Sequence, residues 1–272
     1  MPLDTVKRAA RKLPFAEDAY ALARSVQGRR QGAGVFENVD DYARALYRKA
    51  DDGVVLRTHD GLQVAIRRNR WDAEIVREIF FDRPYLRHVD LPAAPVIVDI
   101  GGYIGDFALY AVKYLDAQLV VVYEPTLENF EMLTRNVALN HYGERIAAVN
   151  KAVGQSGELV LNVQKLDRDE IHVSSHWYAD AERRTIPSVT LAELLDTHQL
   201  ESVDLLKVDC EGGEYDILPD APDDVLRRVR NIVFEYHTVD GYQSKLDRLM
   251  HRLTAAGYRT SEHNKIVSAT RP

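Results

Sequence analysis

The sequence predicts an α/β protein built on a doubly wound, mostly parallel, Rossmann-like sheet of about seven strands. Three observations lead to this fold class. Short runs of apolar β-branched residues alternate with helical patterns from Pro95 onward, which is typical of buried parallel strands and their crossover helices. Two short strand-like segments, on either side of His263-Asn264-Lys265, predict an antiparallel C-terminal hairpin. The length of 272 residues suits one large domain with a small attachment.

The alternating region is predicted to be one domain over residues 93–272, with an insertion at about 154–189. The pattern changes after Pro92 and Pro95, which places the domain boundary there. The predicted strands and helices of this domain, in chain order, cover residues 96–100, 104–115, 119–123, 127–139, 146–153, 203–210, 231–237 and 240–256, and the hairpin covers 258–262 and 266–270.

Residues 38–92 are predicted to form a small N-terminal cap made of a helix, a hairpin and a second helix. The hairpin signal is His59-Asp60-Gly61 between two short apolar runs. The second helix carries apolar residues at helical spacing after Trp71. The three elements are predicted over residues 39–50, 54–67 and 71–81.

Charge is unevenly distributed along the chain. The net charge is −7, but seven Lys and Arg against three acids give residues 1–30 a charge of +4, leaving −11 for the remainder. The acidic body argues against nucleic acid as a partner. The basic segment 1–37 is predicted to be helical, and it could contact an anionic membrane surface.

The predicted location is cytoplasmic. A single cysteine, Cys210, gives no sign of an oxidising compartment. No stretch approaches the roughly 20 apolar residues of a membrane span.

The turn after the first strand of the domain is the candidate cofactor site, since ligands of such sheets bind at the carboxyl ends of the strands. It reads Asp99-Ile100-Gly101-Gly102-Tyr103-Ile104-Gly105. The glycine spacing of a dinucleotide fingerprint is absent. Glu124 follows the second strand, where an acid can accept hydrogen bonds from ribose hydroxyls. No Lys or Arg in the turn would meet a pyrophosphate, and Asp99 suits a cationic ligand. These features together indicate S-adenosylmethionine.

Three stretches of the chain resemble the FkbM-type family of class I S-adenosylmethionine-dependent methyltransferases. They are the stretch from Val98 to Asp106, the stretch from Tyr123 to Asn129, and Asp204-Leu205-Leu206-Lys207-Val208-Asp209-Cys210-Glu211-Gly212-Gly213-Glu214. The later Phe234-Glu235-Tyr236-His237 also fits, and the likeness runs over about residues 71–260. Gly102 stands where alanine is usual, and Cys210 where an aliphatic residue is usual.

The resemblance implies a methyltransferase that methylates the oxygen of a hydroxyl on a sugar, a glycan or a tailored natural product. It implies S-adenosyl-L-methionine as the cofactor and S-adenosyl-L-homocysteine as its product form. The predicted cofactor-binding residues are Asp99, Gly101, Gly102, Gly105, Glu124, Pro125, Asn129 and Val153.

Four side chains that can carry charge are predicted to meet at the ends of the fourth and fifth strands. Asp209 and Glu211 are two residues apart, as are Glu235 and His237, and this spacing puts each pair on one face of a strand. A hydroxyl is a poor nucleophile, so a base should take its proton. His237 is the preferred base because its ordinary pKa lies near neutrality. Glu211 is the alternate, and Asp209 is expected to contact donor or acceptor.

Three other interpretations remain open at this stage. Asp209, Glu211, Glu235 and His237 could together bind a divalent metal that assists a sugar O-methyltransferase. A nicotinamide-dependent oxidoreductase shares the fold class, although its glycine fingerprint is missing. A binding module without catalytic activity would use the same residues structurally. Lys207, costly in a buried strand, is expected to pair with a carboxylate such as Glu235.

The insertion at 154–189 is predicted to provide the acceptor site. Residues 158–164 alternate as a strand does, and a segment rich in hydroxyls, imidazoles and aromatic rings follows. Such a segment suits a lid over a polyol, through His172, Ser174, Ser175 and Trp177. The alternative is a surface hairpin with its aromatic side chains tucked under.

Overall fold

The structure is a computed structural model, and it describes residues 26–47, 53–67, 70–165, 171–174 and 182–271. The chain divides into two compact units, Met1–Val76 and Arg77–Pro272. In the described residues, no helix has the length and apolar character needed to cross a membrane.

The first unit contains the hairpin and both helices that the sequence predicts. After a helical stretch over residues 26–32, its elements are α1 (Val39–Tyr47), β1 (Val54–Arg57), β2 (Gln63–Ile66) and α2 (Arg70–Arg77), which runs to the boundary. The two strands pair antiparallel. The rings of Phe36 and Tyr42, with centroids 4.7 Å apart, pack in its core. Buried Asp72 holds Arg67 through an ion pair of 3.0 Å.

The second unit begins where the predicted helix 71–81 changes its winding. A π-helical turn, Glu78–Asp82, follows α2, and a 3₁₀ turn, Pro84–Leu86, follows that. Arg83 between them adopts a left-handed conformation (φ 48°) and donates its N–H to the carbonyl of Glu78. Since Pro84 has no N–H to donate, the regular helix cannot continue.

The remaining helices and strands of the second unit follow in chain order. They are β3 (Val96–Ile100), α3 (Asp106–Tyr114), β4 (Leu119–Tyr123), α4 (Leu127–Leu139), β5 (Ile146–Val149), β6 (Ala152–Val153), β7 (Gly157–Lys165), β8 (Ile171–Ser174), β9 (Glu182–Val189), α5 (Leu191–Thr197), β10 (Val203–Val208), α6 (Glu214–Asp220), α7 (Asp223–Arg227), β11 (Val229–Glu235), α8 (Tyr242–Ala255), β12 (Arg259–His263) and β13 (Ile266–Thr270).

The main sheet confirms the predicted fold class. Its seven strands lie in the order β12-β13-β11-β10-β3-β4-β5. Five of these strands, β11, β10, β3, β4 and β5, are parallel to one another. The strand β13 is antiparallel to both of its neighbours, β11 and β12. The strand order reverses between β3 and β10, which stay paired up to Ile100 and Val208. Ligands of such sheets bind outside the carboxyl ends of the strands at this reversal.

The third predicted strand, 146–153, is two strands that belong to different sheets. β5 pairs with β4 in the main sheet, whereas β6 pairs with β9. The chain leaves the main sheet at Asn150, whose side-chain amide donates to the carbonyls of Glu124 and Pro125. The polar pair Asn150-Lys151 therefore separates the two strands within the predicted one.

The insertion forms a second, four-stranded sheet in the order β6-β9-β7-β8. β7 follows the predicted strand 158–164 closely. β9 was not predicted, because its sequence Glu-Arg-Arg-Thr-Ile-Pro-Ser-Val opens with charges and contains Pro187, both of which disfavour a strand. Its register with β7 places Pro187 opposite Glu158.

Candidate functional site

The glycine turn after β3 closes directly onto the chain that leaves β10. Gly101 has a φ of +85°, and a Cβ atom there would lie 1.8 Å from the carbonyl oxygen of Asp209. A Cβ on Gly102 would lie 2.1 Å from Cγ1 of Val122. These two glycines are therefore required by the close approach of neighbouring strands. Gly105, with a φ of +83°, stands at the start of α3.

Glu124 lies buried at the end of β4 and points at the glycine turn. Its Oε2 accepts from the N–H of Tyr103 at 2.9 Å, and its Oε1 accepts from the N–H and hydroxyl of Thr126 at 2.9 and 2.6 Å. A longer bond of 3.4 Å comes from Asn129 in the first turn of α4. Burial raises the pKa of Glu124, although these donors oppose the shift. They hold the carboxylate in one orientation beside the turn.

Lys207 pairs with Asp99 rather than with Glu235, which corrects the partner suggested from the sequence. Its Nζ lies 2.9 Å from Oδ1 of Asp99 and 3.7 Å from Oδ2 of Asp209. The two strands are adjacent and their register sets Lys207 opposite Asp99, so this acid is the nearer partner. Burial disfavours the ammonium, but Asp99 and Asp209 outweigh it and raise the pKa of Lys207.

One carboxylate oxygen of Asp99 accepts no hydrogen bond in this arrangement. Its Oδ2 is buried and has no hydrogen-bond partner in the structure. Burial raises the pKa of Asp99, while Lys207 opposes that rise. A buried acceptor without a donor is costly, so this oxygen is available to a ligand with a donor group.

Three further predicted cofactor residues, Pro125, Asn129 and Val153, follow β4 along the chain. Pro125 and Asn129 follow Glu124, and Asn129 is buried. Val153 lies in β6 of the second sheet, where it is buried in the same core cluster as Ile100 and Tyr123, the last residues of β3 and β4.

The four predicted polar side chains at the ends of β10 and β11 do come together. Nε2 of His237 lies 3.6 Å from Oε2 of Glu211 and 3.9 Å from Oδ1 of Asp209. One ligand atom each from Asp209, Glu235 and His237 lies within 4.8 Å of the others. We call Asp209, Glu211, Glu235 and His237 the acid–histidine cluster.

Glu214, which the sequence reasoning assigned no role, holds the imidazole of His237. This buried carboxylate accepts from the backbone N–H of His237 at 2.9 Å and lies 3.3 Å from its Nδ1. Its other oxygen accepts from the N–H of Gly212 at 2.9 Å. The second ring nitrogen, Nε2, is therefore directed toward Glu211 and Asp209. Glu214 stood within the stretch that carries the family resemblance, which is the one sequence signal for it.

The acid–histidine cluster contains groups that change protonation near neutral pH. Burial lowers the pKa of His237, but Glu214, Glu211 and Asp209 outweigh it and raise that pKa to about 9. Burial, and then the charge of Asp209, raise the pKa of Glu235 to about 7. Burial also raises the pKa of Glu211 to about 7, although His237 opposes it. The imidazole is thus protonated at neutral pH while the two glutamates titrate there.

Tyr85 is a further polar group of this cluster that the sequence did not reveal. It is buried in the 3₁₀ turn, and its hydroxyl donates to Oδ2 of Asp209 at 2.8 Å and lies 3.3 Å from Oε2 of Glu235. Burial and the neighbouring acids raise its pKa well above 10. No motif or periodicity marks this tyrosine, because its partners are more than a hundred residues away.

The predicted acceptor residues of the insertion are only partly within the described chain. His172 and Ser174 belong to β8, whereas Ser175 and Trp177 lie outside the described residues. The insertion is attached to α4 by Arg184, whose Nη1 lies 2.9 and 3.0 Å from the two carboxylate oxygens of Glu128. The lid over an acceptor remains a prediction.

Comparison of the sequence with known proteins finds methyltransferases. Residues 99–260 match the family model described as "Methyltransferase FkbM domain". The methyltransferase sdnD of Sordaria araneosa is 28% identical over 205 residues, which are 65% of this chain and 79% of that protein. The 31-O-demethyl-FK506 methyltransferase FkbM of Streptomyces tacrolimicus is 29% identical over 215 residues, 68% of this chain and 82% of that protein. A solved structure, methyltransferase FkbM from Methylobacillus flagellatus KT, is 16% identical with a TM-score of 0.46, covering 72% of this chain and 47% of that one.

Proposed function

Because this chain belongs to the FkbM family of S-adenosylmethionine-dependent methyltransferases, we propose that it methylates a hydroxyl of a sugar, a glycan or a tailored natural product. The observation that carries the proposal is the acid–histidine cluster, which lies beside the glycine turn, since Lys207 contacts both Asp99 and Asp209. The similar protein from Streptomyces tacrolimicus is named for an oxygen-linked methyl group on FK506, and this supports an oxygen acceptor.

The residues around the glycine turn fit the donor. Oδ2 of Asp99 is a buried acceptor without a partner, which suits an ammonium or a hydroxyl. Glu124 is held beside the turn by its hydrogen-bond donors, and its Oε2 accepts a hydrogen bond from the N–H of Tyr103. Gly101, Gly102, Gly105, Pro125 and Asn129 would complete the donor site. When bound, S-adenosylmethionine supplies a methyl carbon already activated by its sulfonium.

The acid–histidine cluster would accept the proton of the hydroxyl. The acceptor oxygen forms a bond to the methyl carbon, the carbon–sulfur bond breaks with its electron pair going to sulfur, and the hydroxyl proton passes to the base. His237, with a pKa of about 9, must first lose its own proton. Glu211, with a pKa of about 7, is ionised above neutrality. Asp209 would orient either group or the acceptor.

Donor binding is tested by thermal unfolding with S-adenosylhomocysteine. A ligand at 100 times its Kd adds about 2.7 kcal/mol, which raises the Tm by about 5 °C in a chain of this size. Glu124→Gln should abolish the shift, whereas Glu144→Gln, at an exposed position, should retain it. NAD should give no shift. A full response in Glu124→Gln, or a response to NAD alone, would contradict the proposed donor site.

The base is tested by turnover and its pH profile on an acceptor panel. His237→Ala should leave the S-adenosylhomocysteine shift intact and lower turnover by about 10²–10⁴-fold. If His237 is the base, turnover of the unsubstituted enzyme rises until about pH 9. If Glu211 is the base, turnover is constant above about pH 7. Unchanged turnover in both His237→Ala and Glu211→Gln would exclude the cluster as the proton acceptor.

A metal-assisted O-methyltransferase is the second candidate, favoured by the short distances among Asp209, Glu235 and His237. Oxygen and imidazole ligands suit Mg²⁺ or Mn²⁺. Titration with Mn²⁺ should then raise the Tm of the protein but not that of Asp209→Asn, and EDTA should abolish turnover. Full turnover in EDTA would reject this candidate.

A further inference from the structure

A cavity of about 470 Å³ lies against the acid–histidine cluster, and we propose that it receives the acceptor, a small polyhydroxylated molecule of the carbohydrate type. This inference rests on the proposed hydroxyl methylation and names the site and the class of its acceptor. It differs from the lid predicted at 172–177, since the cavity lies on the side of the C-terminal hairpin.

The cavity is built almost entirely by parts of the chain outside the family match. Of its twelve lining residues, only Glu235 falls within residues 99–260. One wall is the segment 77–88, and the opposite wall is the hairpin of β12 and β13. The glycine turn and the acid–histidine cluster, in contrast, fall inside the family match. The cluster thus lies within the matched residues 99–260, whereas the cavity walls lie mostly outside them, as expected for a site that selects the acceptor.

The cavity reaches the acid–histidine cluster at Glu235. Glu235 lines the cavity and also lies 3.3 Å from the hydroxyl of Tyr85, which donates to Asp209. Glu78 lines the same wall, and its pKa is raised by burial and then by the charge of Asp209. A molecule in the cavity would therefore contact Glu235, which lies in one cluster with His237.

The chemistry of the walls favours a polyol. Ten of the twelve lining residues carry polar side chains, with only Pro84 and Ile266 apolar. Arginine, histidine, serine and asparagine donors alternate with three carboxylates. A polyol can satisfy such walls because each hydroxyl both donates and accepts. An apolar macrocycle would leave these groups desolvated without partners, which is costly. The volume lies within the range of small-molecule sites.

The two walls are joined before any acceptor binds. The buried hydroxyl of Ser268 in β13 donates to the carbonyl of Arg87 at 2.8 Å. Arg77 forms an ion pair with Asp82 at 2.5 Å within the first wall. The hairpin turn is fixed by Asn264 and Lys265, which both have left-handed conformations. Little reorganisation is needed to bind an acceptor, which favours affinity.

The proposal is tested by saturation-transfer NMR in the presence of S-adenosylhomocysteine. Methyl glucoside and myo-inositol serve as polyol probes, and cyclohexanol serves as an apolar alcohol with a similar ring. We expect transfer to at least one polyol and none to cyclohexanol. Ser261→Trp, which fills the cavity, should abolish the transfer, whereas Ser202→Trp at an exposed position outside the cavity should retain it.

A smaller change sharpens the assignment. His263→Ala removes one hydrogen-bonding side chain from the wall and should weaken polyol binding by about twofold to tenfold. His251→Ala, an exposed histidine of α8 away from the cavity, should not change it. No transfer to either polyol, transfer to cyclohexanol alone, or undiminished transfer in Ser261→Trp would overturn the inference.

These results are separable from the proposed function. A protein that responds to S-adenosylhomocysteine but transfers no saturation to the polyols contradicts this inference alone. A protein that gives no thermal response to S-adenosylhomocysteine contradicts the proposed methyl transfer, whatever the polyols do. The thermal response should be equal in Ser261→Trp and Ser202→Trp, which confirms that both variants are folded.

Discussion

The two sides of the candidate site, the donor side beside the glycine turn and the acceptor side at the acid–histidine cluster, differ in how they hold their charged groups. Beside the glycine turn, the side chain of Asp99 is 0% exposed and Glu124 is held by its hydrogen bonds. At the ends of β10 and β11, the side chains of Asp209, Glu211 and His237 are 28%, 42% and 19% exposed. Buried and oriented acids suit a donor that is always the same. Partly exposed groups such as Glu211, whose pKa is raised to about 7, suit proton transfer from a variable acceptor.

Lys207 contacts both the donor side, beside the glycine turn, and the acceptor side, at the acid–histidine cluster. Its ammonium lies 2.9 Å from Asp99 on the donor side and 3.7 Å from Asp209 in the acid–histidine cluster. The ring of Tyr85, 4.9 Å away, packs against it. One buried cation therefore neutralises the donor side and also contributes to the electrostatics of the acceptor side.

Lys207→Met should produce the largest change, because it removes the cation that this division depends on. Asp99 would be left as a buried carboxylate without a counter-ion. We expect a loss of about 3–5 kcal/mol in the free energy of unfolding, measured by urea denaturation. Lys151→Met, at an exposed position, should change it by less than about 0.5 kcal/mol.

The double variant Asp99→Asn with Lys207→Met tests the physical reason. Removing both charges removes the unpaired carboxylate, so part of the lost stability should return. A single Lys207→Met variant within about 1 kcal/mol of the unsubstituted protein would show that the buried pair is not what stabilises the donor side.

Tyr85→Phe should have a smaller effect, confined to the acceptor side. Asp209 would lose the donor at 2.8 Å, and a hydrogen bond to a charged group contributes about 1.5–3 kcal/mol. Turnover should fall while the thermal shift with S-adenosylhomocysteine is kept. Tyr236→Phe, which removes an exposed hydrogen bond to Glu262, is the matched control. Loss of the donor response in Tyr85→Phe would show that the two sides are not separable.

Glu211→Gln should change the free energy of unfolding least, and it should raise it rather than lower it. The pKa of Glu211 in the folded protein, about 7, lies above its ordinary value of 4.5. Its contribution is therefore stabilising below about pH 4.5 and is lost as the pH rises through about 7. At pH 8 the carboxylate is ionised and its burial destabilises the folded protein. The neutral amide of glutamine avoids this, so the variant should be more stable at pH 8 by about 0.5 kcal/mol after screening by solvent.

The measurement is the free energy of unfolding at pH 5 and pH 8. The gain should be larger at pH 8 than at pH 5, and it should accompany the loss of turnover expected of a functional carboxylate. A variant that is less stable at pH 8 would show that the pairing of Glu211 with His237 outweighs burial.

Much of the fold could be predicted because local patterns agree with the final structure. The strand at Val96–Ile100 and the helix at Leu127–Leu139 lie where the sequence predicts them, since their apolar periodicity and their burial coincide. β9 was missed because its charges and Pro187 argue locally against a strand. Pairing with β7 overrides that local preference.

The amino-acid sequence by itself determined the alternating fold, the glycine turn and the meeting of Asp209, Glu211, Glu235 and His237. These follow from a period of two along strands and from the rule that parallel strands end at one edge. Only the tertiary structure decided that Lys207 pairs with Asp99, that Glu214 and Tyr85 orient the cluster, and that a polar cavity opens beside it. Those contacts join residues distant along the chain, and no local pattern records which distant groups will be brought within hydrogen-bonding distance.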